Sequence, residues 1–271
     1  MPAADRAAGV RPRSGAADSV VDFHNHLLPG VDDGASDEDE SRAALAKMSD
    51  AGVTALIVTP HFDGSLQLRS ADVAARLDEL DAAWSRFGPL AAGAGIRAWR
   101  GVEFRLDLAH PDLSDPRLRL AGGPFALCEF SWFTVPPRSD RVLATIRADG
   151  WIPVVAHPER YGGLGDALEL TERWIEAGAL LQVNGASLLG RYGDRAREVA
   201  VLLLEHGRVH YVCSDYHAHG SPRVTEYAEA LAGAVGAAAA DRLMRTNPAR
   251  LLRGELPLAG TGAGGGSGES T

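Results

Sequence analysis

The sequence predicts an α/β barrel of seven parallel strands with helices between them. Short apolar runs alternate with Ala- and Leu-rich segments of helical length, which is the pattern of successive βα units. Several helical segments end at a glycine, as at Gly52, Gly150, Gly178 and Gly207, and glycine is a common residue at a helix C-terminus. The length of 271 residues suits a single barrel domain.

Seven short runs rich in β-branched and other apolar residues are the predicted strands: Val20–Phe23, Val53–Thr59, Ile96–Val102, Phe125–Phe130, Ile152–Ala156, Leu180–Asn184 and Val209–Ser214. Six segments between them are the predicted helices: Asp37–Ala51, Ala71–Phe87, Ser139–Asp149, Ala167–Ala177, Asp194–His206 and Val224–Val235. The segment Asp107–Pro124 contains three prolines and no clear period, so we expect a long loop there.

The composition predicts one folded domain over residues 20–258. Hydrophobic residues make up 45% of the chain and charged residues 23%, which is enough apolar material for a core. Residues 1–19 lack a period, and residues 259–271 are rich in Gly and Ser, so both segments are expected to be disordered tails.

Charge and residue usage exclude several classes of function. A net charge of −9 does not suit a protein that binds nucleic acid along a basic face. Lys47 is the only lysine and lies in a predicted helix, which argues against Schiff-base chemistry. Cys128 and Cys213 lie far apart in apolar runs, as reduced thiols would, and no apolar stretch is long enough to span a membrane. We therefore expect a cytoplasmic protein without membrane insertion.

Residues that can bind metals follow the predicted strands at their C-terminal ends. They are His24, His26, His61, Glu103, Glu129, His157, Asp215 and His217. Because the C-terminal ends of parallel barrel strands share one rim, we expect these side chains to converge on one pocket. Imidazole together with carboxylate suits zinc, manganese or iron, whereas an all-oxygen set suits magnesium or calcium. The residues alone leave the choice of metal open.

Some of these residues also have simpler interpretations. A lone His-x-His is more often incidental than a metal site, and Glu129 could be a buried acid paired with an arginine. Asp32 and Asp33 fit a turn in Gly-Val-Asp-Asp-Gly. Asp22 is expected to contact the imidazole of a metal ligand and support it, without binding the metal itself. The remaining histidines are interpreted as structural or exposed: His110, His206, His210 and His219.

Several longer stretches resemble a known family. They read DFHNHLLPGVDDG, VTPH, GVEFRL, VVAHPERY, LLQVNGASLLGRYG, CSDYH and NPARLL, and they cover residues 21–252. Together they resemble the polymerase-and-histidinol-phosphatase (PHP) superfamily, and within it the bacterial capsule-synthesis tyrosine phosphatases, which are manganese-dependent. The resemblance implies a distorted (β/α)7 TIM-like barrel of the PHP type with two or three divalent cations. Manganese is the expected ion, with zinc or iron as alternatives.

The resemblance also implies how the ligands are shared among three ions, with Glu103 as the bridge. The first ion would take His24, His26, Glu103 and Asp215, the second Glu103, Glu129 and His157, and the third Asp33, His61 and His217.

Two arginines are implied to hold the phosphate, Arg160 in the HPER stretch and Arg223 further along the chain. Asp33 or a metal-bound water would protonate the leaving group. Phe62 and Ala218 depart from the family pattern, which often has histidine and asparagine at these positions. Both departures lie outside the implied ligand set.

The implied activity is hydrolysis of phosphotyrosine on a protein, such as the tail of a bacterial tyrosine kinase, in regulation of capsular or exopolysaccharide synthesis. A cysteine phosphatase is excluded, because the sixth residue after Cys128 is Thr134 and after Cys213 is His219, where that mechanism needs arginine. The alternatives are a phosphatase for a small ester such as histidinol phosphate, a nuclease, or a non-catalytic barrel that binds a kinase tail. The oligomeric state is open and includes a homo-oligomer.

Overall fold

The computed structural model describes residues 20–131, 135–162 and 166–259. The predicted N-terminal tail and nearly all of the predicted C-terminal tail lie outside these residues. The described strands are β1 (Val20–Asp22), β2 (Val53–Val58), β3 (His61–Asp63), β4 (Arg97–Arg100), β5 (Glu103–Arg105), β6 (Phe125–Glu129), β7 (Ile152–Ala156), β8 (Leu180–Asn184) and β9 (Tyr211–Cys213).

Helices connect and cover these strands. They are α1 (Glu38–Asp50), α2 (Ser70–Gly93), α3 (Ser139–Ala148), α4 (Ala167–Glu176), α5 (Gly185–Leu188), α6 (Asp194–Glu205), α7 (Val224–Val235), α8 (Ala237–Asp241) and α9 (Asn247–Leu251), with a π-helical turn at Arg242–Thr246. Among the described residues, no helix is both long and apolar enough to cross a membrane.

All strand pairs are parallel, in the orders β1-β2-β4 and β3-β5-β6-β7-β8-β9. The two sheets are continuous, because β2 leads into β3 across Pro60 and β4 leads into β5 across Gly101. Hydrogen bonds from Gly101 N to Val58 O and from Glu103 N to Pro60 O, both 3.0 Å, bridge the break. The predicted α/β fold with parallel strands is confirmed, and two of the predicted strands, β2 and β4, are each followed by a further short strand, β3 and β5, outside the predicted bounds.

The first and last strands meet just beyond their ends. Asp215 N donates to His24 O at 2.8 Å, and His26 N donates to Tyr216 O at 2.9 Å. Asn25 and Tyr216 form a parallel bridge at the same place. Seven parallel stretches therefore follow one another around a ring, and two backbone hydrogen bonds join the first and last of them at a seam instead of a regular ladder.

Side chains on alternate strand positions fill two different layers. On β6, Phe125 and Leu127 belong to one buried cluster, and Ala126 and Cys128 belong to the other. Successive strand side chains point to opposite faces, so one set packs inside the ring and the other packs under the helices. The filled interior supports the polar residues that lie at the C-terminal strand ends.

Helix α2 is longer than the sequence predicts, running to Gly93 instead of Phe87, with Pro89 inside it. The Gly-Pro pair indicates a helix end by local rules. The buried positions Leu80, Ala83, Phe87 and Ala91 continue the apolar face past that pair. Burial of this face outweighs the local helix-breaking preference.

Candidate metal centre

Two histidines at the end of β1 point into one polar space with two acids. His24 Nε2 lies 3.3 Å from both Glu103 Oε2 and Asp215 Oδ1. His26 Nε2 lies 3.3 Å and 3.4 Å from the same two oxygens. All four side chains are buried. The predicted convergence of strand ends therefore brings these residues together.

Glu103 lies at the middle of the cluster. Its Oε1 accepts from His157 Nε2 at 2.9 Å, and its Oε2 lies 3.1 Å from His61 Nδ1. His61 Nδ1 is also 3.3 Å from Glu129 Oε1. Glu103 thus contacts four histidines that come from three different strand ends, which is the arrangement expected of a bridging carboxylate.

The outer part of the cluster contains Asp33. Its Oδ1 lies 3.5 Å from both His61 Nε2 and His217 Nε2, and its side chain is 68% exposed. His61 therefore faces Glu103 through one ring nitrogen and Asp33 through the other. It joins the outer part of the cluster to the inner part.

The nine proposed ligands form four overlapping groups, in each of which the ligand atoms lie within 4.8 Å of one another. They are His26-Asp33-His61-His217, His24-His26-Glu103, His24-His157-Asp215 and His61-Glu103-Glu129. The nine residues therefore surround one continuous space that can hold more than one ion.

The donor atoms fit divalent cations. His24 Nε2, His26 Nε2, His61 Nδ1 and Glu103 Oε2 are buried and make no hydrogen bond among the described residues. Leaving buried polar atoms unsatisfied costs free energy, and here all four are directed at one space. Imidazole nitrogens with carboxylate oxygens are the ligand chemistry of zinc, manganese and iron.

The electrostatics of the cluster favour positive charge. Burial raises the pKa of Glu103, but His24 and a hydrogen bond from His157 outweigh it and hold that pKa well below its usual range. Burial likewise lowers the pKa of His61, yet its contacts with Glu103 and Glu129 raise it to about 10. The Glu103 carboxylate is therefore ionised and attracts protons or cations to the ring nitrogens facing it.

The model of a known protein family matches residues 20–253, and its description is capsular polysaccharide synthesis, CpsB/CapC. This chain belongs to the CpsB/CapC family. It is 32% identical over 206 residues to the tyrosine-protein phosphatase YwqE of Bacillus subtilis, covering 73% of this chain and 77% of that protein. It is 28% identical over 249 residues to the tyrosine-protein phosphatase CpsB of Streptococcus pneumoniae, covering 88% of this chain and all of that protein.

The fold of this CpsB/CapC family member also matches a solved structure. That structure comes from work on YwqE of Bacillus subtilis and CpsB of Streptococcus pneumoniae, described as unique metal-dependent tyrosine phosphatases. The match has a TM-score of 0.71 at 26% identity and covers 88% of this chain and 96% of the other. The family membership and the α/β fold of parallel strands expected from the sequence are confirmed.

The two proposed phosphate-binding arginines lie in different surroundings in this family member. Arg160 Nη1 donates to Asp215 Oδ2 at 2.6 Å, and its guanidinium lies 4.1 Å from the centre of the Tyr192 ring. Arg223 is exposed at the start of α7, where its backbone N donates to Ser221 Oγ at 3.3 Å. Arg160 is therefore held at the cluster and Arg223 is not, and the phosphate-binding role of each stays a prediction.

Glu129 has both partners that the sequence allowed. Besides His61, its Oε1 accepts from Arg105 Nε at 3.2 Å, and Arg105 Nη1 donates to Asp63 Oδ1 at 2.6 Å. The buried-acid interpretation and the metal-ligand interpretation are thus compatible in this protein.

Asp32 is more than a turn residue. Its Oδ2 accepts from His26 Nδ1 at 2.8 Å and from His61 N at 3.2 Å, and its Oδ1 accepts from Gly34 N. Gly34 lies so close to His26 that an added Cβ would be 1.8 Å from His26 O. The DDG sequence therefore places the carboxylate of Asp32 against Nδ1 of His26, the ring nitrogen that does not face Glu103.

The expectation for Asp22 was wrong in its partner. Asp22 accepts from both the N and the Oγ of Ser214, at 3.0 and 2.5 Å. It thus links β1 to the end of β9, and the imidazole of His24 has a different partner.

That partner is Gln182, which the sequence analysis missed. His24 Nδ1 donates to Gln182 Oε1 at 2.8 Å, Gln182 Nε2 donates to Asn184 Oδ1 at 3.0 Å, and Asn184 Nδ2 donates to Asp215 Oδ2 at 2.6 Å. We call these four residues the amide chain. A signal existed, because Gln182 and Asn184 are polar at alternate positions of a strand that supplies no candidate ligand.

Proposed function

We propose that this chain is a metal-dependent protein-tyrosine phosphatase that acts in the regulation of capsular or exopolysaccharide synthesis. The observation that supports it is the set of nine histidines and carboxylates that share one buried space around Glu103. The names of the relatives, tyrosine-protein phosphatases of the CpsB/CapC family, support the choice of substrate.

Bound divalent cations would neutralise phosphoryl charge and activate a water. The residues of the chain would hold and orient them: His24, His26, Glu103 and Asp215 at the inner position, Glu129 and His157 beside it, and Asp33, His61 and His217 at the mouth. Arg160, whose guanidinium lies at the cluster beside Asp215, would hold phosphoryl oxygens by charge-assisted hydrogen bonds. Arg223 is the second proposed phosphate ligand.

Asp33 suits metal binding better than proton donation. A hydrogen bond with His217 is the main cause that lowers the pKa of its carboxyl, so Asp33 is anionic at neutral pH. Tyrosinate is a fair leaving group, with a parent pKa near 10, and needs little acid assistance. A proton from solvent at the mouth of the site is sufficient.

Manganese is our proposed metal, with zinc and iron as alternatives, because the set combines imidazoles with carboxylates. The proposed substrate is a phosphotyrosine protein such as the tail of a bacterial tyrosine kinase. We place the activity in the cytoplasm, because Cys128 and Cys213 are both free and buried thiols.

Reconstitution with single metals tests this function. Protein stripped with a chelator should lose activity on a phosphotyrosine peptide and regain it with manganese far better than with magnesium. Parallel assays with histidinol phosphate and single-stranded DNA test the phosphatase and nuclease alternatives. Full activity after metal removal would contradict the proposal, and tight metal binding without turnover of any ester would favour the non-catalytic alternative.

A further inference from the structure

A second cavity adjoins the metal cluster on the far side of Arg160. It has a volume of about 340 Å³ and is lined by Glu159, Arg160, Tyr192, Arg195 and Ala196. Arg160 is common to both places, because it contacts Asp215 in the cluster and the ring of Tyr192 in the cavity wall. A molecule bound at Arg160 therefore lies next to this cavity.

The rim of this cavity carries positive charge. Arg195 is exposed, and its Nη1 donates to Tyr161 O at 3.0 Å. Within the described ranges Arg195 forms no ion pair with a carboxylate, so the other donors of its guanidinium remain for a ligand. Arg160 is paired with Asp215, so in a chain with a net charge of −9 the positive charge at the rim of this cavity comes from Arg195.

Among the described residues that line this cavity, Glu159 is the one acid, and it is turned inward. It is 1% exposed, and its Oε1 accepts from Asn184 N at 3.0 Å and Ser187 Oγ at 2.7 Å. Those contacts engage Oε1 on the side of β8, and Oε2 is buried as well. The surface that solvent reaches is therefore formed by the arginines and by Tyr192, which is 39% exposed.

Tyrosine and arginine together are typical of surfaces that recognise peptides. The Tyr192 ring covers the Arg160 guanidinium, which limits its rotation, and leaves its own remaining surface open. An extended peptide advances about 3.4 Å per residue, so a side chain one or two positions from the reacting residue reaches an adjoining cavity.

We propose that this cavity is a specificity subsite that binds an acidic side chain next to the phosphotyrosine, with Arg195 as the main contact. The subsite rests on the proposed phosphatase function, because phosphate at Arg160 is what places the neighbouring residue there. A carboxylate at Arg195 would form charge-assisted hydrogen bonds with the donors that Tyr161 does not use. The preferred substrates are then phosphotyrosine peptides with Glu or Asp beside the phosphotyrosine.

Binding of two peptides to the manganese-loaded protein tests the subsite. Both carry a non-hydrolysable phosphonate analogue of phosphotyrosine, flanked by two residues on each side that are Glu in one peptide and Ala in the other. Fluorescence anisotropy should show tighter binding of the Glu peptide by about tenfold, the effect of one charge-assisted hydrogen bond. Arg195→Gln should abolish this preference and leave affinity for the Ala peptide within about twofold.

Arg197→Gln is the matched control, because Arg197 is exposed on the same helix, and it lines a different part of the surface. This variant should keep the tenfold preference. Equal affinity of the wild type for both peptides, or a preference that survives Arg195→Gln, would overturn the subsite. Equal weakening of both peptides would also overturn it, since Arg195 would then act only through Tyr161.

A separate arm measures hydrolysis of free phosphotyrosine, which carries no flanking residues. Absence of turnover in that arm would refute the phosphatase function, while the binding comparison still reports on the cavity. Turnover with no Glu preference would refute the subsite alone.

Discussion

Two histidines at opposite ends of the barrel differ in the sign of their pKa shift. At the rim, Glu103 and Glu129 raise the pKa of His61 to about 10, against the effect of burial. At the start of β9, burial lowers the pKa of His210 to about 4, and its Nδ1 accepts from Leu181 N at 3.1 Å. Burial alone makes a neutral imidazole. Only the cluster of carboxylates at the rim turns buried histidines into a site for cations.

Removing the central carboxylate, Glu103, should have the largest effect on the difference between the rim histidines and His210. Glu103→Gln keeps the side-chain volume but removes the charge that four histidines face. We expect loss of bound manganese and a fall in kcat/KM of about a thousandfold or more. Metal analysis and phosphotyrosine kinetics measure both, with Glu198→Gln on the exposed face of α6 as the control. Unchanged metal content would mean that Glu103 is no bridge.

A subtler change at the rim tests Arg160. Arg160→Lys keeps the charge but loses the planar fork that grips two phosphoryl oxygens. We expect kcat/KM to fall about ten- to a thousandfold, or roughly 1.4 to 4 kcal/mol of transition-state binding, with metal content unchanged. Arg173→Lys, at an exposed helix position, serves as the control. If metal content falls as well, the role of Arg160 is to hold Asp215.

Substitution of Gln182 in the amide chain should weaken metal binding at the rim without changing a proposed ligand. Gln182→Leu removes the acceptor that fixes the orientation of His24, so manganese affinity should fall about ten- to a hundredfold. Gln182→Glu should recover most of it, because a carboxylate also accepts from His24 Nδ1. Calorimetric titration of manganese into the metal-free variants gives both values. Equal affinity of the Leu variant and the wild type would leave the amide chain without a role in metal binding.

At the other end of the barrel, the lowered pKa of His210 predicts a smaller effect, which is on folding stability. The pKa of His210 in the folded protein, about 4, lies below the usual histidine value of 6.5, so the unfolded chain binds the proton more tightly. Folding stability is then lost as pH falls from about 6.5 to about 4, by at most about 3 kcal/mol.

His210→Gln should flatten this pH dependence, since its amide oxygen still accepts from Leu181 N. Urea unfolding of metal-free protein at several pH values, compared between wild type and variant, measures the difference. The same acid sensitivity in both proteins would show that His210 is not the group responsible. His206→Gln, at an exposed position, is the control.

Residue patterns near the strand ends predicted the barrel and the cluster, because parallel strands place their C-terminal ends on one rim whatever their exact register. Contacts such as the one between His24 and Gln182, 158 positions apart, depend on register and rotamer, which local rules do not determine. The same limit explains why Asp22 was assigned the wrong partner. It also explains why α2 was predicted to end at Phe87. Burial of Ala91 on the apolar face of the helix extends it past Pro89 to Gly93.

The seam of the ring determines when the protein can become active during its synthesis. Ser214 and His24, which meet there, are 190 positions apart, and two proposed ligands, His24 and Asp215, supply backbone atoms to it. A ribosome releases the N-terminal histidines long before the last strand exists. A nascent chain therefore has neither a closed ring nor a complete ligand set, and the capacity to hold all its ions arises only when the final strand docks.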